Sequence, residues 1–143
     1  MNILLAEDDE SDVLLIERAL KQIGANVQLH LVPDGEAAVD YLSGAGIYSD
    51  RTKYPLPSLL LLDLKMPKRS GLEVLQWIRA HPNLRRLPVV VLTSSAMPSD
   101  LQEAYKYRVN SYLGKSPAVA SGVLKDLLKY WVSFNQHPSW SSP

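Results

Sequence analysis

Four short apolar runs of this chain each end on polar groups. Ile3-Leu4-Leu5-Ala6 leads into Glu7-Asp8, and Leu59-Leu60-Leu61-Leu62 into Asp63. Val89-Val90-Val91-Leu92 leads into Thr93, and Ser111-Tyr112-Leu113-Gly114 into Lys115. Runs of this length and composition read as strands. In chain order they deliver an acid pair, an acid, a hydroxyl and an amine. If the strands are parallel, these groups share one rim, and in an open parallel sheet that rim binds ligands. Three ionised carboxylates gathered there repel one another. A hard divalent cation relieves the repulsion, and magnesium, which keeps several waters, needs only one or two of the carboxylates. The expected ligands are Asp8, Asp63 and the backbone carbonyl of Lys65, with Glu7 acting mainly through water. Lys115 could neutralise charge on a phosphoryl group at Asp63, and the Thr93 hydroxyl could donate to one of its oxygens. Phosphoryl transfer asks mostly for such positioning and charge stabilisation, and an aspartate can be the covalent acceptor.

Helical patterns separate the strands. Over residues 10–24, Val13, Leu14, Ile16, Leu20 and Ile23 have helical spacing, and Gly24 is a natural stop. Asp9, Glu10 and Asp12 read as negative charges favourable at that helix's start. Val27, Leu29 and Leu31 alternate with polar neighbours, as in a half-buried edge strand. Asp34-Gly35 opens a second helix with Ala37, Ala38, Tyr41 and Leu42 on one side. Residues 44–57, with Gly44, Gly46, Pro55 and Pro57, read as a long loop. Ser70 and Glu73 form a capping box before a helix over 71–81; Ser99 and Gln102 form another before a helix reaching about residue 108. Lys68-Arg69 and Arg85-Arg86 read as solvated loop charges. Ser116-Pro117 looks like the cap and first position of a last helix carrying Val123, Leu124, Leu127, Leu128 and Trp131. The remainder, Gln136 to Pro143, reads as a frayed tail in which Trp140 is either disordered or packed on a partner chain.

Five strands alternating with five helices predict an α/β protein with a doubly wound parallel sheet. The half-polar second strand belongs at an edge and the unbroken third at the centre, which favours the flavodoxin-like order 2-1-3-4-5. The 143 residues suit one domain, assigned to 1–135, with a tail over 136–143. Lys plus Arg and Asp plus Glu number 15 each, so no net charge attracts nucleic acid or an anionic membrane. The absence of cysteine rules out disulfides and thiolate chemistry. No signal peptide precedes the first strand, and no apolar stretch reaches the ~20 residues of a membrane helix, so the cytoplasm is the expected location.

Taken together, Glu7-Asp8, Asp63 followed by Met66-Pro67 and Gly71, Thr93-Ser94, Tyr112 and Lys115 resemble, in order, the receiver domain of two-component response regulators (CheY-like). The likeness spans about residues 1–130. It implies that Asp63 accepts a phosphoryl group from a histidine kinase in a magnesium-dependent reaction. It implies that Thr93 then moves toward the phosphate and that Tyr112 swings inward. The surface of the fourth helix, fifth strand and fifth helix would then change its binding preference. Lys65 and Ser95, two residues beyond Asp63 and Thr93, occupy positions that tune dephosphorylation. Ser116 stands where the family usually has proline after the lysine. A cis Lys115-Ser116 bond would cost about 2.5–4 kcal/mol without it. The long 44–57 loop with Tyr54-Pro55-Leu56-Pro57, and Tyr130-Trp131, are similar to stand-alone receivers that partner bacterial phytochromes. No output domain is expected, since the chain ends soon after the fifth helix. Its effect would come from binding another protein, or from acting as a phosphate relay or sink; a homodimer through the fourth helix, fifth strand and fifth helix is a further expectation, with Val132 and Phe134 beyond the core stripe.

Two rivals stay open on sequence alone. One is a receiver-like module that binds partners without phosphorylation. The other is a phosphohydrolase with an aspartyl-phosphate intermediate, which would usually carry a second aspartate where Lys65 stands.

Overall fold

Each strand residue that faces one helical layer is followed by one that faces the other, so the sheet sorts the core into two halves. This computed structural model describes residues 1–24, 26–115, 122–138 and 140. The elements are β1 (Asn2–Ala6), α1 (Glu10–Gln22), β2 (Gln28–Val32), α2 (Gly35–Ser43), β3 (Leu59–Leu62), α3 (Gly71–Ala80), β4 (Val89–Thr93), α4 (Pro98–Lys106), β5 (Ser111–Gly114) and α5 (Leu124–Lys129). A 3-10 turn covers Gly46–Ser49, and α5 continues in wider π-type turns over Tyr130–Phe134. All strand pairs are parallel, in the order β2-β1-β3-β4-β5, as the alternation predicts.

Leu4, Ala6, Leu60, Leu62, Val89 and Val91 pack with α2, α3 and α4 through Ala38, Tyr41, Val74, Leu75, Ile78 and Ala104. Ile3, Leu5, Leu59, Leu61, Val90 and Leu92 pack with α1 and α5 through Ile16, Leu20, Leu124, Leu128 and Trp131. Fully burying one such leucine or isoleucine is worth about 1.5–3 kcal/mol. The central strands therefore anchor the rim that carries the polar groups.

Several local expectations change. Val27, just before β2, and Leu29 within it do pack on the core, but Leu31 is 47% exposed while Val32 is fully buried. The last residue of this edge strand thus packs in the other layer. The capping box Ser99/Gln102 does not form. Pro98 starts α4 and Met97 is its cap residue, without a side-chain bond. Proline's preset φ and missing N–H suit a first helical position, so the helix begins two residues earlier than a Ser99 cap would start it and Asp100 becomes its third residue. Ser70 does cap α3, its Oγ accepting from the Glu73 N–H at 3.2 Å. Lys68 and Arg69 are not merely solvated: they pair with Asp34 and Glu36 at 3.6 and 3.5 Å. The 44–57 segment is pinned by Arg51, which donates to the carbonyls of Tyr41, Leu42 and Tyr54 and so caps α2. Tyr41, Tyr48 and Tyr54 pack ring on ring beneath it. The tail does not simply fray: Trp140 packs against the core and donates from Nε1 to the Pro57 carbonyl at 2.9 Å. Trp140 is thus covered by its own chain. The start expected for the last helix at Ser116-Pro117, and the Lys115-Ser116 peptide, lie outside the described residues.

Candidate functional site

Register brings the acids together. Ala6 pairs with Leu62 across β1 and β3, and the Asp63 N–H donates to the Ala6 carbonyl at 3.1 Å. Glu7 and Asp63 therefore leave adjacent strands side by side. Carboxylate oxygens of Glu7, Asp8 and Asp63 lie within 4.8 Å of one another. On the other side, Thr93 pairs with Gly114, and the Lys115 N–H donates to the Thr93 carbonyl at 2.7 Å. Lys115 then sends its ammonium across to the acids. It donates to Glu7 Oε1, to Asp63 Oδ2 at 3.3 Å and to Asp12 Oδ2 at 2.9 Å.

One ammonium facing three carboxylates cannot neutralise them all. Burial pushes the Glu7 carboxyl up to about 9, and hydrogen bonds with Asp63 and Asp12 push the same way, against the pull of Lys115. Burial works to lower the Lys115 pKa, but hydrogen bonds to Glu7 and Asp12 and the charge of Asp63 outweigh it and raise it. Lys115 is firmly cationic, and Glu7 is the carboxyl that keeps a proton. Glu7 Oε2 is buried with no hydrogen-bond partner. A buried oxygen left without a partner is costly. Together with two neighbouring carboxylates it is the donor set that a hard divalent cation and its water shell complete. By that chemistry the acidic triad could hold a divalent cation.

The remaining candidates lie along the same rim. Thr93 is fully buried, and its hydroxyl accepts from the Ser95 N–H at 3.2 Å. The Lys65 N–H donates to Asp63 Oδ1 at 3.3 Å, holding that loop against the acid. The Lys65 side chain, however, turns to α4, where its Nζ lies 3.2 Å from Asp100 Oδ2. Ser95 Oγ donates to the same oxygen. The Ser95 hydroxyl first, and then Lys65, hold the Asp100 carboxyl below its ordinary value. Tyr112 is half-buried against the core, with its hydroxyl buried and unpartnered. Burial raises its pKa and the charge of Asp100 adds to this, while Ser95 and Lys65 act the other way.

Gly71 is the hinge of the arrangement. A Cβ there would lie 2.2 Å from the Asp63 carbonyl oxygen and 2.7 Å from Leu64 Cα. Only glycine lets α3 begin directly beneath the Asp63 backbone.

Sequence reasoning missed two acids. Asp12 reads as a helix-start charge, yet it holds Lys115 from α1. Asp100 does not stand out: after a Ser99 cap it would be the first helical residue, whereas with Pro98 first it is the third.

A family model described as response regulator receiver domain matches residues 3–125. The response regulator Rcp1 of Synechocystis sp. (strain ATCC 27184 / PCC 6803 / Kazusa) is 42% identical over 127 residues, covering 89% of this chain and 81% of its own. A crystal structure of the Mn(2+)-bound form of Rcp1 matches with a TM-score of 0.90 at 36% identity, over 96% of this chain and 99% of that one. The phosphorylated cyanobacterial phytochrome response regulator RcpA matches with a TM-score of 0.89, also at 36% identity, over 96% and 98% of the two chains. The probable methanogenesis regulatory protein FilR2 of Methanothrix harundinacea (strain 6Ac) is 39% identical over 141 residues, covering 95% of this chain and 86% of its own.

Proposed function

The chain belongs to the response regulator receiver family, and from that premise we propose that Asp63 is the phosphoacceptor of a two-component relay. The observation that carries this is the Asp63 carboxylate seated between an acidic triad and the Lys115 ammonium at 3.3 Å. As a receiver it takes its phosphoryl group from a histidine kinase, and its chemistry is confined to its own aspartate.

In the transfer, an Asp63 carboxylate oxygen forms a bond to phosphorus as the bond from phosphorus to the kinase imidazole nitrogen breaks, the nitrogen keeping the electron pair. Magnesium is the cation we assign to Glu7, Asp8, Asp63 and the Lys65 carbonyl; when bound it offsets charge on the phosphoryl oxygens. Lys115 exchanges its bonds with the acids for one with a phosphoryl oxygen. The Thr93 hydroxyl donates to another, giving up its place as acceptor for the Ser95 N–H. Because Ser95 is tied to Thr93 and α4, that movement reaches the surface of α4, β5 and α5. Tyr112, with its buried unpartnered hydroxyl, is the side chain free to follow. Lys65 and Ser95 tune the lifetime of the product.

The receiver unit is assigned to residues 1–135, with 136–143 as a tail in which Trp140 packs against the core. The likeness to Rcp1 and RcpA supports a phytochrome-type kinase as the donor. The output is a change of protein partner, or of a homodimer through α4, β5 and α5. In that dimer Phe134, 67% exposed, is an available contact, whereas Val132 packs on the core.

Incubating the protein with acetyl phosphate and magnesium, then measuring intact mass, tests the reading. One phosphoryl addition is expected, absent in Asp63→Asn and in magnesium-free buffer. No addition on the unaltered protein would favour a phosphorylation-independent binding module. Turnover of general phosphomonoesters would favour a hydrolase, which the lysine at position 65 already argues against.

A further inference from the structure

We propose that Asp100 is a positioning residue that shortens the life of the phosphoryl group on Asp63, by holding the Lys65 ammonium away from it. The proposal rests on the phosphoacceptor reading above. A single carboxylate oxygen, Asp100 Oδ2, receives both the Lys65 ammonium at 3.2 Å and the Ser95 hydroxyl. These are the side chains two residues beyond Asp63 and Thr93. The backbone closes the circuit, with the Lys65 N–H on Asp63 Oδ1 at 3.3 Å and the Ser95 N–H on Thr93 Oγ1 at 3.2 Å. Asp100 thus links both loops of the site to the first turn of α4. It lies on neither loop and touches neither Asp63 nor Thr93 in any bond described.

Lys65 has two anions within the reach of one long, flexible side chain once Asp63 is phosphorylated. The phosphoryl dianion is one of them and accepts charge-assisted hydrogen bonds from an ammonium. Asp100, better shielded than Lys65 (13% against 61% of side-chain surface exposed), competes for the same ammonium. Where Asp100 wins, the phosphoryl face above Asp63 stays open. Water oxygen can then attack phosphorus, the bond to the Asp63 oxygen breaks with its electron pair returning to the carboxylate, and the water proton passes to phosphate or solvent. Where a neutral side chain replaces Asp100, the ammonium settles on a phosphoryl oxygen, stabilises the phosphorylated state and obstructs the water. Because Ser95 shares the same oxygen, the competition is also felt at the loop that follows Thr93.

The test uses the full chain, phosphorylated with acetyl phosphate and magnesium, freed of donor by desalting and followed by intact mass. Asp100→Asn is expected to slow phosphoryl loss by about three- to five-fold, the scale of one partly exposed ion pair. In a Lys65→Gln background the same substitution should have no effect on the rate, since the ammonium it would release is gone. A purely structural role for Asp100 would not depend on the residue at position 65. Asp100→Ser, which suits a helix start, gives the same comparison if Asp100→Asn does not fold. Loss at the unaltered rate in these variants, or equal slowing in both backgrounds, overturns the proposal. Failure of the unaltered protein to gain mass at all would instead overturn the phosphoacceptor reading, and this proposal with it.

Discussion

Glu7 holds its proton because water has been taken away and two more carboxyls brought near. In the unfolded chain it titrates near 4.5, in the fold near 9. Between those values the folded chain holds a proton that the unfolded chain has released, so this group's contribution to stability falls as pH rises through that window. A dication at the triad needs the charged carboxylate and must displace the proton. Magnesium affinity is therefore expected to increase from about pH 6 to about pH 9. The rise in melting temperature on adding magnesium should grow over that range, and Glu7→Gln should flatten the trend. A magnesium-induced shift that stays constant with pH would contradict this account. The Lys115 ammonium shows why the effect centres on one residue: it is already shared among Glu7, Asp12 and Asp63.

At the scale of elements, the site depends on how closely α3 begins under β3. Gly71→Ala would set a methyl group against the Asp63 carbonyl and the Leu64 Cα. Relieving such a clash costs about 1–3 kcal/mol, and part of the relief must come from the Asp63 backbone itself. We expect a lower melting temperature together with slower phosphoryl acceptance from acetyl phosphate. Ser70→Ala, one residue earlier, removes the cap bond from the Glu73 N–H and the Ser70 hydroxyl's bond to Glu73 Oε1 and should cost about 1 kcal/mol, leaving acceptance unchanged. Equal acceptance in both variants would show that the close approach at Gly71 does not position the acid. The same logic explains α4. Its proline start, not a capping box, fixes where Asp100 stands, and so which loop residues it reaches.

For the whole molecule, acidic and basic residues balance at 15 each, and the formal net charge is zero. Among the described residues no helix is long and apolar enough to cross a membrane. Apolar exposure occurs on α4 at Leu101 and Tyr105, and beyond α5 at Tyr130 and Phe134. If this face joins two copies, sedimentation velocity over a concentration series should show a dimer that Tyr105→Ser and Phe134→Ser weaken, with the phosphoryl acceptance of the monomer retained. A single monomeric species at every concentration would remove the dimer from the account.

Much of this was legible in the chain. Strand-length apolar runs, each ending on an acid, a hydroxyl or an amine, determined the sheet, its order and the gathering of Glu7, Asp8, Asp63, Thr93 and Lys115 at one rim. They could do so because parallel strands place all their carboxyl ends together, a consequence of backbone geometry that needs no knowledge of side-chain partners. What only the tertiary structure decided are pairings across long separations. Asp12 and Lys115 are 103 residues apart and meet only because α1 and β5 converge on the same acids. Trp140 returns across 83 residues to the Pro57 carbonyl. Asp100 chooses Lys65 and Ser95 because a proline starts its helix two residues before a Ser99 cap would. Such contacts are set by the angles and offsets of packed elements, which local periodicity does not encode.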